Sequence, residues 1–166
     1  RGADLVNLTV IARYVGRSWV MYNREYLMKR VFDEKTSEGL RGGQVIDIGC
    51  ADGGYIPLIS TLLYPSLVMG IDLSLHELSI AKSYDVSARF EYICADASAL
   101  PLRGSAFDLI FSKDLLHHLD NRIDALRGFR DFLKRNGFVI VAEPERNNQI
   151  TKMYIRYGHN HFTLTQ

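Results

Sequence analysis

The stretch VIDIGCADGGY, Val45–Tyr55, decides how the chain folds. Val45, Ile46 and Ile48 make a short apolar run that enters a glycine-rich segment at Gly49, and a second apolar run begins at Ile56. A buried strand that passes through such a turn into a helix is a ligand-binding βα unit, and the residues around the turn state which charge the ligand carries. Asp47 lies two residues before the first glycine. An acid there would face an anionic ligand unfavourably and suits a cationic one.

Working outward, the chain alternates short apolar runs with helical segments. Strands are expected at residues 44–48, 67–71, 89–94, 107–112 and 138–143, with helices in the gaps. Ser74-Leu75-His76-Glu77 opens one helix as a capping box. The helix from Asn121 is expected to run to KRNG, with Gly137 taking the left-handed turn that ends it. Connections this short give a parallel sheet of right-handed crossovers, with its ligand site at the carboxyl ends of the strands. Upstream, apolar residues from Asp4 to about Lys35 recur at helical spacing and predict two amphipathic helices, joined to the core by the polar, Gly-rich residues 38–43.

Bulk composition narrows the function. The chain has 166 residues, enough for one hydrophobic core, and its 20 basic and 19 acidic residues leave a net charge of +1, so no broad basic face for nucleic acid or anionic lipid is expected. The uncharged residues 53–71 are interrupted by Pro57, Pro65 and Gly70 and do not read as a membrane span. Cys50 and Cys94 end separate strands without metal-ligand spacing, which predicts buried thiols in a reducing compartment and a cytoplasmic protein. The chain begins without Met, as a fragment would.

Two ligand classes fit the turn. Gly49, Ala51 and Gly54 align with a Gly-x-Ala-x-x-Gly dinucleotide fingerprint, and Asp72 follows at the distance of a ribose-binding acid. Asp47 argues for the other class. VIDIGCADGGY, GIDLS, CADASALPLRGSAFDLIFSKDLLHHL and GFVIVAEP together resemble, in order and spacing, the motifs of class I S-adenosylmethionine-dependent methyltransferases of the type 11-like kind, over about residues 44–144.

The resemblance implies a Rossmann-like three-layer sandwich with strand order 3-2-1-4-5, and it implies roles residue by residue. Gly49 and Gly53, flanking Cys50 and Ala51, let the backbone approach the methionine part of S-adenosylmethionine. Asp47 and the Ser112 carbonyl orient its ammonium. Asp72 accepts from both ribose hydroxyls, Leu73 packs on the adenine, Asp96 accepts from the adenine amino group and the Ala97 N–H reaches a ring nitrogen. Ala51 departs from the family's usual middle glycine, which puts the strength or position of cofactor binding in doubt.

Simpler readings stand beside these roles. Asp47 could be a solvated or capping acid, Asp72 a strand terminator and Asp96 the cap of its own turn. His117 and His118 could titrate near neutrality, but on a helix adjacent side chains point about 100° apart, so only one would line a pocket, and packing explains them as well. Tyr14, Tyr22 and Arg24 could close over the cofactor's carboxylate. Arg122, Arg127, Arg130, Lys134 and Arg135 read as a solvated helix face, and His159 and His161 have no ligand-like partners, so no metal site is expected.

The expected organisation is a helical cap at residues 1–40, a cofactor-binding core at 41–145 and a partial C-terminal segment at 146–166. The expected activity is methyl transfer to an acceptor of unknown class, with a noncatalytic methyltransferase-like subunit and an NAD(P)-dependent oxidoreductase as alternatives. No further strand pair fits after Pro144, so the family's final antiparallel pair is expected to be missing. That would leave FVIVA at an open edge, covered either by a second copy in a homodimer or by a folded-back tail.

Overall fold

The computed structural model describes residues 11–15, 39–86, 88–144 and 150–157. In chain order the strands are β1 (Ile11–Val15), β2 (Gln44–Ile48), β3 (Leu67–Asp72), β4 (Glu91–Cys94), β5 (Phe107–Lys113), β6 (Leu133–Pro144) and β7 (Ile150–Tyr157). The helices are α1 (Ile56–Leu63), α2 (Leu75–Tyr84) and α3 (Arg122–Asp131). One sheet holds all seven strands in the order β1-β7-β6-β5-β2-β3-β4. Strands β2 to β6 are parallel and, counted among themselves, take the expected order 3-2-1-4-5. The chain therefore moves outward from β2 in one direction to β3 and β4, then crosses back to β5 and β6, which opens a crevice at the carboxyl ends of β2 and β5.

The central strands are apolar on both faces because helices cover both. Val45, Leu109, Phe111, Ile140 and Ala142 share one cluster with Ile59 and Leu63 of α1. Their chain neighbours Ile46, Ile110, Val139 and Val141 pack on the opposite side with Ala125, Leu126 and Phe129 of α3. This period-two alternation gives three layers. Phe129 is fully buried, and truncating it to Ala would cost about 3 to 5 kcal/mol. The Ser74 hydroxyl caps α2 as its position predicts, accepting from the Glu77 N–H at 3.2 Å.

Four expectations change. The last helix stops at Asp131, and Leu133 already pairs with Phe107 at the start of β6. Gly137 is not among the glycines with positive φ; a Cβ there would lie 3.0 Å from the Phe107 carbonyl and 2.9 Å from Leu133, so the residue serves a close backbone approach. Lys134, read as helix surface, instead pairs with Asp108 at 2.7 Å from its place on β6. Cys94 is exposed rather than buried, because the short β4 is paired only with β3 among the described residues.

The edge of β6 is also covered. β7 pairs antiparallel with β6 from Phe138↔Tyr157 to Pro144↔Thr151, and β1 pairs antiparallel with β7. The helical spacing around Ile11–Val15 thus meets a strand. The tail folds back over the edge, as the alternative to a homodimer foresaw, but does so as a strand where no further strand was expected, so the open edge that motivated a homodimer does not exist at β6. No helix among the described residues is long and apolar enough to cross a membrane.

Candidate functional site

The parallel register brings the ends of β2, β3, β4 and β5 to one edge, with Ile48 opposite Ile71 and Asp72 opposite Cys94. Asp47 sits just below that edge, opposite Phe111 of β5. It is 2% exposed, and no described residue is recorded as hydrogen-bonded to its carboxylate. Burial, and secondly the nearby Asp72 charge, push its pKa up to about 7, while Lys113 pulls the other way. The Ser112 hydroxyl, on the adjacent strand, is buried without a hydrogen-bond partner among the described residues. The buried Asp47 carboxylate and the unpartnered Ser112 hydroxyl therefore both lie next to the turn. Sequence reasoning credited Ser112 only for its carbonyl; a serine in an otherwise apolar central strand was the signal for its side chain.

The turn itself spends its own donors. Gly49 and Cys50 N–H groups donate to the Ile71 carbonyl at 2.7 and 3.0 Å, and Gly53 donates to Cys50 at 2.9 Å. Ala51 N–H donates to Asp72 Oδ2 at 2.9 Å and Gly54 N–H to Asp52 Oδ1 at 3.1 Å. An anion cradle needs backbone N–H groups pointing at the ligand, and these five point elsewhere. Gly49 and Gly53 have φ of +77° and +74°, and a Cβ on either would come within 3.0 Å of a protein side chain, Leu115 and Ala81 respectively. The glycines are thus required by the turn's own packing, a different reason from ligand approach. Ala51 also adopts a left-handed conformation, at φ +48°.

The remaining sequence candidates fall on both sides of the expectation. Asp72 accepts once on each oxygen, from Ala51 and from Ser74, both at 2.9 Å, which leaves each oxygen a further lone pair. Leu73 beside it is 71% exposed, an apolar surface at the sheet edge. Asp96 caps its own turn, accepting from Ser98 N–H at 2.7 Å through Oδ1 alone, and Ala97 follows it. Cys50 packs with Ile56, Val68 and Leu78 beneath the turn. Burial, helped by Asp47 and Asp72, pushes its thiol pKa up, so it stays protonated. Tyr14 lies on β1 opposite Thr151; Tyr22, Arg24, His159 and His161 lie outside the described residues.

Sequence reasoning missed Glu143. From the end of β6 its Oε1 accepts from Leu115 and Leu116 N–H at 2.9 and 2.7 Å, and its Oε2 meets His117 N–H at 3.3 Å and His117 Nδ1 at 2.7 Å. The histidines do not diverge as on an α-helix. They sit in a 3-10 turn, Leu116–His118, with ring centroids 3.9 Å apart.

A parallel sheet with this crossover, and a glycine turn and buried acid at its switch point, define an α/β domain of the doubly wound class. Residues 46–141, more than half of the chain, match the family described as a methyltransferase domain, and the chain belongs to that family. It is 32% identical over 107 residues to phosphoethanolamine N-methyltransferase 1 of Triticum aestivum, covering 63% of this chain and 21% of that protein. It is 30% identical over 99 residues to a malonyl-[acyl-carrier protein] O-methyltransferase of Marinomonas sp. (strain MWYL1), covering 59% of this chain and 37% of that one. Among solved structures, an S-adenosylmethionine dependent methyltransferase from Mesorhizobium loti superposes with a TM-score of 0.60 at 25% identity, over 64% of this chain and 49% of the other. The chain thus spans about a fifth of one curated relative, somewhat over a third of the other and about half of the solved structure.

Proposed function

We propose that the domain binds S-adenosylmethionine at the carboxyl edge of β2, β3 and β4 and transfers its methyl group to an acceptor that approaches from β5 and β6. The observation that carries this reading is Asp47, a buried acid with no hydrogen bond from a described residue, next to a turn that uses five of its N–H groups internally. Such a site favours a cation and offers little to a pyrophosphate, which argues against the dinucleotide alternative.

The residues fit the cofactor. Its ammonium supplies the charge that Asp47 lacks, with the orphaned Ser112 oxygen close at hand. The free lone pairs of Asp72 suit two ribose hydroxyls, each charge-assisted bond being worth roughly 1.5 to 3 kcal/mol. Exposed Leu73 offers the adenine an apolar face, and the Asp96 oxygen left free by the turn suits its amino group. The cofactor supplies an already activated methyl group, so the protein's task is to align the acceptor and exclude water. Gly49, Cys50, Ala51 and Gly53 hold the turn's shape. We infer further that residues 41–145 carry cofactor binding, that the flanking segments shape the acceptor side, and that the protein acts in the cytoplasm.

Calorimetric titration with S-adenosylmethionine and, separately, with NAD tests the reading. Saturable binding of the first and none of the second is expected. Preference for NAD, or no binding of either, overturns it; binding without transfer to any acceptor supports the noncatalytic alternative.

A further inference from the structure

We propose that Lys113 binds the carboxylate of the cofactor's methionine end while Asp47 binds its ammonium, so that the two side chains together select a zwitterionic amino acid. The proposal rests on the cofactor reading above and deepens it by assigning a residue to the anionic end.

Lys113 is the last residue of β5. Side chains two apart on a strand share a face, and Val45 and Phe111 both pack in the cluster beneath α1. Asp47 and Lys113 follow them by two residues on the adjacent parallel strands β2 and β5, so both lie on the α1 side of the sheet's carboxyl edge. The aromatic contacts agree with this placement. Tyr55, just before α1, has its ring centroid 5.5 Å from that of Phe111, and the Lys113 ammonium lies 5.5 Å from the same Tyr55 centroid. With its side chain 21% exposed, Lys113 is held against this edge rather than extended into solvent.

Among the described residues, Lys113 is the cation whose charge reaches the buried Asp47 carboxylate. No ion pair between the two is recorded there; Lys113 pairs instead with Asp114, the next residue along the chain. An acid and a cation on one face, near enough to feel each other but not joined, form an arrangement that a ligand carrying both charges completes. An α-amino acid carries its ammonium and carboxylate on a single carbon. With the ammonium on Asp47, the carboxylate meets Lys113, and Asp114 shares or gives up its partner. Without that contact Lys113 would face the ammonium and the sulfonium as a third positive charge, which is unfavourable in a sheltered site. Tyr14, the other described candidate for the carboxylate, lies on β1, three strands away from β5.

The test is calorimetric titration of the full chain with S-adenosylmethionine and with its decarboxylated form, which keeps the amino group, the sulfonium and the nucleoside. The protein should bind S-adenosylmethionine at least about tenfold more tightly. Lys113→Met should weaken S-adenosylmethionine by about tenfold and leave the decarboxylated ligand unchanged or more tightly bound, so that the preference disappears. Lys113→Arg should keep most of the preference, and Lys113→Gln replaces the Met variant if that one fails to fold. S-adenosylmethionine labelled with 13C in its carboxyl group gives a second readout: its resonance should shift on binding, and Lys113→Met should remove most of that shift. Absence of binding of either ligand to the unaltered chain overturns the cofactor reading. Equal binding of the two ligands by the unaltered chain, or a Lys113→Met variant that weakens both equally or neither, overturns this proposal alone and leaves Lys113 as the partner of Asp114.

Discussion

The two halves of the sheet's carboxyl edge treat their acids in opposite ways. At β5 and β6, Glu143 is saturated by three backbone N–H groups and a histidine ring. At β2, Asp47 is more deeply buried and has no recorded hydrogen-bond partner among the described residues. A carboxylate that the fold has satisfied belongs to the frame, and removing it leaves donors stranded. A buried carboxylate without partners costs stability, and that cost is offset only when a cation arrives. The same side-chain chemistry thus marks a rigid support on one side and a deeply buried charge with a raised pKa on the other.

The contrast breaks most readily at Glu143. Glu143→Ala strands three backbone donors and a ring N–H, and the loss should be about 4 kcal/mol after allowing for water at the more exposed ones. Urea unfolding at neutral pH measures it, and a loss below about 1 kcal/mol would remove Glu143 from the frame. Asp47 should respond with the opposite sign. Its folded pKa of about 7 lies above the ordinary 3.8, so the folded protein binds the extra proton and the cost of ionisation grows as pH rises from about 4 through 7. Asp47→Asn should therefore leave stability nearly unchanged near pH 4 and raise it by roughly 4 kcal/mol at pH 8, while weakening S-adenosylmethionine. Equal unfolding curves at pH 8 would show that Asp47 is not strained by burial.

Asp72 lies between these extremes, with half of its acceptor capacity used. Asp72→Ala should weaken S-adenosylmethionine by at least about tenfold, or about 1.4 kcal/mol, through loss of the ribose contacts. Unchanged affinity in a titration of the folded variant would mean that the acid serves only the turn.

How much of this was legible in the sequence follows from the range of the interactions. The core strands were readable because Val45, Ile46, Ile110 and Val139 belong to local apolar runs bounded by turns, whereas their order came from the family resemblance. Asp47 and Asp72 were readable because motif and strand end coincide. The link from Glu143 to the Leu115–His117 backbone spans 26 to 28 residues, and nothing local announces it. Gly137 was misassigned because a glycine after a basic run fits a helix stop as well as a close strand contact. At Ile11–Val15 helical spacing gave way to antiparallel pairing with β7, a tertiary contact that overrides local preference.

Ala51 offers the smallest and sharpest test, because it separates the turn's shape from its ligand. From sequence it was a departure from the family's glycine that put the strength or position of cofactor binding in doubt; in the structure it is a non-glycine residue at φ +48°, with its N–H fixed on Asp72. A left-handed alanine costs roughly 1 to 2 kcal/mol in steric strain, and a glycine there gives back about 0.4 to 1 kcal/mol through a freer unfolded chain. Ala51→Gly should therefore stabilise the protein by about 0.5 to 1 kcal/mol while keeping or improving S-adenosylmethionine affinity. Denaturant midpoints and a titration on the same sample report both quantities. Destabilisation would show that the turn relies on alanine for order, and a stable variant that binds the cofactor poorly would show that the methyl group itself touches the ligand.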